Sequence, residues 1–153
     1  MIKYYKGCVV EAFLTGEYYA ILHQANCFNT MNSGVARAIR DKFEIAYIVD
    51  CQTRRGDYRK LGSYSFARTE FGQIVNLYGQ YNYGRDGKKY TLIDKLEEAV
   101  TRFALRNENL DGVRICVPRM GSGLGGADWA TEVEPIITRQ LVARGFEVHV
   151  YDK

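Results

Sequence analysis

The spacing of apolar residues along the chain predicts an alternation of β-strands and amphipathic helices. The predicted strands cover residues 2–5, 18–25, 63–69, 73–77, 113–117 and 146–151. The predicted helices cover residues 33–43, 46–51, 90–106 and a last segment from Asp128 to Gly145. A Phe71-Gly72 turn joins the third and fourth strands as a hairpin, whereas most of the other strands are separated by helices. This order is typical of an α/β domain whose mixed sheet carries helices on both faces.

Particular residues mark the ends of the predicted helices. Ser33 and Asp128 precede helices and are candidates for N-caps, and Gly145 ends the last helix. Pro135 lies inside that last pattern, and because proline has no amide hydrogen we expect the helix to kink there or to begin later. Asp111-Gly112 predicts a turn before the fifth strand.

The 153 residues are enough for one domain with its own core, so we predict a single domain over residues 1–153. The formal net charge of +3 is small and the chain has no dense run of Lys and Arg, which argues against nucleic acid as a partner. No apolar stretch is long enough to span a bilayer, and the N-terminus has no signal-peptide pattern. We therefore expect a cytoplasmic monomer without a membrane partner.

Neither a metal nor a cofactor is expected from the residues that commonly bind one. The cysteines form no CxxC pair and have no zinc-like spacing to either histidine. We expect all four cysteines to be reduced thiols of a cytosolic protein. The residues concerned are Cys8, Cys27, Cys51, Cys116, His23 and His149.

Two glycine-containing segments carry most of the functional signal. The first, residues 26–36, reads NCFNTMNSGVA, and the second, residues 118–126, reads PRMGSGLGG. Each follows a predicted strand and leads towards a predicted helix. A turn of this kind exposes backbone N–H groups at the positive end of a helix dipole, where proteins commonly bind phosphate. Since ligands of such sheets bind at the carboxyl ends of strands, we expect both segments to meet there and hold a diphosphate.

These segments resemble those of a macro domain, the ADP-ribose-binding module. The likeness runs along nearly the whole chain: a first strand with Gly7, an Asn-bearing loop followed by SGVARAI, a Val75-Asn76-Leu77 strand, and VPRMGSGLGGADW before the last strand. It implies the three-layer α/β/α macro-domain fold. Within the family, the chain is most similar to small stand-alone proteins that remove the 1''-phosphate from ADP-ribose-1''-phosphate.

The resemblance also implies which residues contact the substrate. The first segment would surround the distal ribose and its 1'' substituent, and the second would wrap the diphosphate with backbone amides. The segment from Asn76 to Gln80 would line the floor of the site. The substrate-binding residues implied are Cys8, Asn29, Thr30, Met31, Asn32, Ser33, Gly34, Val35, Ala36, Gln80, Pro118, Met120, Gly121, Ser122, Gly123, Leu124 and Gly125.

Three positions depart from patterns known in the family. Cys8 stands where many macro domains have an aspartate that binds the adenine amino group, which leaves adenine specificity open. A related branch cleaves ADP-ribosyl esters with a lysine and an aspartate, and Gln80 and Gly125 stand near those two positions. These two departures argue against the lysine-based hydrolase chemistry.

His23 and Asn26 are the candidate catalytic residues. His23 lies on the strand that leads into the first segment, and an unperturbed imidazole has a pKa near neutrality, so it can act as general acid or base. The phosphatase-like branch often has a histidine at this place; the alternative is a core histidine. Asn26 can bind ribose hydroxyls or only shape an Asx-turn. Asp128 either positions water or only caps a helix.

The leading hypothesis is a phosphatase that converts ADP-ribose-1''-phosphate to ADP-ribose. The two segments would stabilise the charge that develops in the transition state, and His23 would move a proton. One alternative is a non-catalytic reader of ADP-ribose. Another is a hydrolase that releases ADP-ribose from modified acceptors. In each case the expected partner is a small-molecule ligand, ADP-ribose or its 1''-phosphate.

Overall fold

The computed structural model describes residues 2–110 and 112–153, so the turn predicted at Asp111 lies outside the described residues. One mixed sheet runs through this part of the chain. Its strands are β1 (Ile2–Lys6), β2 (Ala20–Ala25), β3 (Tyr64–Thr69), β4 (Gly72–Tyr78), β5 (Arg114–Val117) and β6 (Glu147–Asp152). The strand order is β1-β6-β5-β2-β4-β3, and every neighbouring pair is parallel except the β3–β4 hairpin. The predicted mixed sheet and its hairpin are confirmed.

Helices cover both faces of this sheet. They are α1 (Val9–Phe13), α2 (Gly34–Lys42), α3 (Glu44–Cys51), α4 (Ile93–Asn107) and α5 (Glu134–Gln140). The first three pack on one face and the last two on the other. The three-layer α/β/α architecture is therefore confirmed.

The strand period of two explains how one short strand serves both cores. Ile21 of β2 packs with Phe13 of α1 in one apolar cluster, whereas its neighbour Leu22 packs with Phe103 of α4 in the other. Successive side chains of a strand point to opposite faces, so a central strand must be apolar at nearly every position. This accounts for the continuous apolar middle of β2.

The structure differs from the sequence prediction at two helices and decides between two alternatives at a third. Helix α1 was not predicted, because five residues are too few to show a helical period. Residues Trp129–Val133 form a π-helical turn and α5 begins at Glu134, with Pro135 in its first turn, so the later start is confirmed. Ser33 occupies the N-cap position of α2, but its side chain accepts no helix amide, so the predicted Ser33 cap is wrong. Instead, Ser33 Oγ accepts a hydrogen bond from Arg85 Nη2 at 3.3 Å.

Candidate functional site

Three loops leave the same edge of the sheet. The first loop (residues 26–33) follows β2, the middle loop (79–92) follows β4, and the second loop (118–128) follows β5. Since β4 and β5 flank β2 in parallel, the carboxyl ends of all three strands lie side by side. The loops enclose a cavity of about 720 Å³, a volume typical of small-molecule sites. The two glycine-containing segments therefore line the same cavity, as expected.

Most of the predicted site residues form the wall of this cavity. The predicted residues that line it are His23, Asn26, Thr30, Met31, Asn32, Ser33, Gly34, Val35, Ala36, Gln80, Pro118, Met120, Gly121, Gly123, Leu124 and Gly125. Cys8, Asn29, Ser122 and Asp128 are not part of the wall, because their side chains have other contacts.

Asn29 and Ser122 shape their own loops. Asn29 Oδ1 accepts a hydrogen bond from Lys60 Nζ at 2.8 Å, and Asn29 Nδ2 donates to the carbonyl oxygen of Thr53 at 3.1 Å. Ser122 Oγ donates to the carbonyl oxygen of Arg119 at 2.5 Å. The Asn29 side chain therefore ties the first loop to residues outside it, and that of Ser122 closes a turn within the second loop. Their substrate contacts stay predictions.

Asp128 and Cys8 lie at the starts of helical segments. Asp128 Oδ1 accepts a hydrogen bond from the N–H of Thr131 at 3.1 Å, and the N–H of Asp128 donates to Glu132 Oε1 at 2.9 Å. This reciprocal pair is a helix cap, which was one of the two roles considered for Asp128. Cys8 is half-buried before α1 and packs against the core of that face.

The amides at the start of α2 face the cavity without internal partners. Gly34, Val35 and Ala36 open the helix, and within the described residues their N–H groups donate to no acceptor. The first amide of this turn that has an acceptor is that of Arg37, which donates to the carbonyl oxygen of Ser33 at 3.2 Å. Unpaired amides and the positive end of the helix dipole together make this turn an anion site.

A second set of unpaired amides lies across the cavity. The N–H groups of Gly121, Gly123, Leu124 and Gly125 donate to no acceptor in the described part of the chain. Four other amides of this loop donate to carbonyl oxygens within it, as that of Ala127 does to Gly121 at 2.8 Å. The loop therefore has a rigid backbone with free donors, which is the arrangement that binds phosphate oxygens.

Close packing explains why Gly125 has no side chain. A Cβ atom at Gly125 would lie 2.7 Å from the carbonyl oxygen of Gly121 and would also overlap Thr91 Oγ1. Thr91 Oγ1 itself donates to that carbonyl oxygen at 2.8 Å and accepts from Gln24 Nε2 at 2.9 Å. An aspartate would not fit at position 125 with this loop path. Gln80 is also engaged, since its Oε1 accepts from Gln24 Nε2 at 2.6 Å.

Two arginines of the cavity wall were not predicted as site residues. Arg85 of the middle loop reaches Ser33 of the first loop, and Arg119 of the second loop lies 3.4 Å from Asp152 in an ion pair. Both carry positive charge to the wall of a cavity that holds two sets of free amides. Arg119 is part of the PRMGSG segment. Arg85 lies in a loop without any periodic pattern and is 52 residues from Ser33, its hydrogen-bond partner.

His23 is buried and neutral at neutral pH. Its ring is 1% exposed, and Nε2 lies 2.6 Å from Oδ1 of Asn76, its partner across the β2–β4 pair. Burial lowers the pKa of His23 to about 4, although the hydrogen bond with Asn76 raises it. Because Asn76 Oδ1 accepts from Nε2–H, Nδ1 is an unprotonated acceptor, and it has no partner among the described residues. This ring can accept a proton but cannot donate one at neutral pH, and its catalytic role stays a prediction.

Asn26 has the contacts of an Asx-turn. Its Oδ1 accepts a hydrogen bond from the N–H of Phe28 at 2.8 Å, and its Nδ2 donates to Thr30 Oγ1 at 2.8 Å. These bonds form the loop-shaping arrangement that was the alternative to a ribose contact. Asn26 still lines the cavity, so its predicted catalytic role is not tested by these bonds.

The described residues contain no group of three or more His, Cys, Asp or Glu side chains that could hold a metal ion. Across residues 2–110 and 112–153, none of the helices combines the length and the apolar character that crossing a membrane requires.

Comparison with known proteins identifies similar chains. The sequence is 36% identical over 134 residues to an uncharacterized 17.5 kDa protein from the tk-vs intergenic region of Enterobacteria phage T4, covering 84% of this chain and 83% of that one. No protein-family model matches the sequence.

Solved structures show the same fold. A macrodomain protein from Streptomyces coelicolor superposes with a TM-score of 0.74 at 26% identity, covering 100% of this chain and 99% of that one. Thermosipho africanus DarTG, solved in complex with ADP-ribose, superposes with a TM-score of 0.74 at 17% identity, covering 98% of this chain and 41% of that one.

Proposed function

We propose that this chain, which has the macrodomain fold, binds ADP-ribose in the cavity between the first and second loops. The observation that carries this proposal is that two sets of amides without internal acceptors belong to residues that line one cavity. The amides of the second loop bind the diphosphate, and Arg85 and Arg119 add positive charge beside it. The ADP-ribose complex of Thermosipho africanus DarTG, which has the same fold, supports the choice of ligand.

The reaction that we propose is removal of the 1''-phosphate from ADP-ribose-1''-phosphate. ADP-ribose needs only one anion site, for its diphosphate, whereas the 1''-phosphate adds a second anion at the other end of the ligand. The amides of Gly34, Val35 and Ala36 supply that second site at the start of α2. A site that binds two separated anions favours the phosphorylated ligand over ADP-ribose itself.

Calorimetry and a phosphate assay test the two parts of this proposal. Purified protein is titrated with ADP-ribose and separately incubated with ADP-ribose-1''-phosphate, with and without EDTA. We expect saturable binding of ADP-ribose and release of inorganic phosphate that EDTA does not abolish. Absence of binding would refute the ligand assignment, and binding without phosphate release at high protein concentration would refute the reaction.

Matched arginine variants link the binding to the cavity. Arg85→Ala removes a positive charge from the cavity wall, so we expect its Kd for ADP-ribose to rise about tenfold, or about 1.4 kcal/mol. Arg102→Ala removes an exposed arginine of α4 that pairs with Glu98 away from the cavity, and its Kd is expected to stay within twofold of wild type. Equal effects of the two variants would argue against binding in this cavity.

A non-catalytic reader of ADP-ribose is the second candidate function. The observation that favours it is the state of His23, which is buried and neutral and so is not a proton donor at neutral pH. Tight binding of ADP-ribose with no turnover of the 1''-phosphate would select this function.

A further inference from the structure

A buried carboxyl group lies under the first loop and faces the cavity. Asp50, in the last turn of α3, is 1% exposed and forms part of the cavity wall. Its Oδ1 accepts a hydrogen bond from Tyr78 Oη at 2.6 Å. Its Oδ2 is buried and has no hydrogen-bond partner among the described residues. A buried polar atom without a partner is costly, and at the wall of a cavity a ligand can supply the missing partner.

The surroundings of Asp50 place it at the first-loop end of the cavity. Tyr78 ends β4 directly opposite Ala25, the last residue of β2 before the first loop. Lys60 lies with its Nζ 4.8 Å from the centre of the Tyr78 ring and donates to the carbonyl oxygen of Cys27 at 3.2 Å. Asp50 therefore lies beneath the loop that, under the proposed function, holds the distal ribose and its 1''-phosphate.

We propose that Asp50 is a catalytic general acid that protonates the leaving oxygen of the 1''-phosphate from Oδ2. Water attacks phosphorus, the P–O1'' bond breaks, and its electron pair goes to O1'', which takes the proton from Oδ2. One water proton stays on the released phosphate, and the other passes to solvent, from which the carboxyl group is reprotonated. The inference rests on the proposed phosphatase function and names the group that moves the proton.

Burial of Asp50 favours the protonated form that an acid requires. Burial raises the pKa of the Asp50 carboxyl, while the hydrogen bond from Tyr78 and the charge of Lys60 lower it. The other titratable groups near it are the Cys27 thiol of the first loop and the Tyr47 hydroxyl of α3. A bound phosphate adds negative charge beside the carboxyl, which disfavours ionisation further. Tyr78 is a positioning residue, because it acts on the substrate only through Asp50.

Asp50→Asn tests this assignment, because it keeps the side-chain shape and the bond from Tyr78 but removes the acidic proton. We expect kcat for phosphate release to fall by about 100-fold or more, with KM and the Kd for ADP-ribose within threefold of wild type. The fall in wild-type kcat as pH rises through the pKa of Asp50 should be absent from the residual activity of this variant. Asp41→Asn, on the exposed side of α2, is the matched control and should leave kcat and its pH profile unchanged.

Tyr78→Phe is a second test, because it changes the pKa of Asp50 and leaves the carboxyl group in place. Removing the hydroxyl removes a hydrogen bond that lowers the pKa of Asp50, so the fall in kcat with rising pH should shift to higher pH. If Asp50→Asn keeps the activity and the pH profile of wild type, the role of Asp50 is overturned while the phosphatase function stands. Absence of wild-type phosphate release, with ADP-ribose bound, would overturn the phosphatase function and this inference together.

Discussion

At the scale of single residues, burial decides what a side chain can do. His23 and Asp50 both line the cavity and are both 1% exposed, yet burial moves their proton affinities in opposite directions. Burial disfavours the charged form of each group, so it lowers the pKa of the histidine and raises that of the carboxyl. Burial therefore makes the histidine a weaker base than a free imidazole, and the carboxyl group keeps its proton to higher pH than a free carboxyl group does.

The buried state of His23 predicts a pH dependence of stability. Because burial lowers the pKa of His23 from 6.5 to about 4, the unfolded chain binds a proton between these pH values that the folded chain does not. The free energy of unfolding should therefore fall as pH decreases from about 6.5 to 4, by roughly 3 kcal/mol from this group. Denaturant unfolding of wild type and His23→Gln measures it, since the difference between the two isolates the His23 contribution from that of Asp50. Parallel pH curves for the two proteins would contradict the buried neutral histidine.

Two neighbouring glycines should differ in their tolerance of a methyl group. A Cβ at buried Gly125 would lie 2.7 Å from the carbonyl oxygen of Gly121, so Gly125→Ala should lower the free energy of unfolding by about 1–3 kcal/mol. At exposed Gly123 a Cβ would meet nothing within 4 Å, so Gly123→Ala should change it by less than about 0.5 kcal/mol. Urea unfolding compares them, and equal stability would show that the loop path differs from the one described.

At the scale of elements, strand ends and helix starts create the binding groups. The first turn of α2 and the second loop both leave N–H groups without internal acceptors. Neither set requires particular side chains, which is why glycine suits positions such as Gly34 and Gly121. The π-helical turn before α5 shows the opposite solution, since Asp128 and Glu132 satisfy amides at that start.

Asp128 should affect stability and leave binding unchanged. Asp128→Ala removes the acceptor for the N–H of Thr131 and should lower the free energy of unfolding by about 1 kcal/mol. Asp128→Asn keeps an acceptor oxygen and should retain most of that stability. In both variants we expect the Kd for ADP-ribose to stay within twofold of wild type. A large loss of phosphate release with unchanged stability would instead assign Asp128 to the reaction.

At the scale of the whole molecule, one threonine connects the sheet to the second loop. Thr91 Oγ1 accepts from Gln24 of β2 and donates to the carbonyl oxygen of Gly121 in the second loop. Gln24 also bonds Gln80 of the middle loop. The middle and second loops are therefore held to each other and to β2 by these polar contacts.

Thr91→Val should loosen this connection with little change in volume. We expect the free energy of unfolding to fall by about 1–2 kcal/mol and the Kd for ADP-ribose to rise severalfold, because the second loop loses an anchor. Thr101→Val is the matched control, since Thr101 Oγ1 bonds only the carbonyl oxygen of Glu97 within α4. Unchanged ADP-ribose affinity in Thr91→Val would show that the loop keeps its shape without Thr91.

The local properties of the chain were sufficient to predict its strands, most helices and the two glycine segments. The central strand around Ile21 and Leu22 is apolar on both sides, and helix α4 repeats apolar residues at helical spacing. Such periods are set by the geometry of one element, so a sequence states them directly. The short α1 was missed because its five residues do not complete a period, and the Ser33 cap was wrong because a tertiary contact with Arg85 replaced it.

Only the tertiary structure decided which side chains meet in the cavity. Asp50 and Tyr78 are 28 residues apart, and Arg85 and Ser33 are 52 apart, so no local pattern relates them. The pKa of His23 likewise depends on burial, which arises from helices packed over β2. The sequence by itself thus determined the layers and the backbone anion sites, which follow from periodicity and glycine. Packing determined the charge states and the partners, because both depend on contacts between distant parts of the chain.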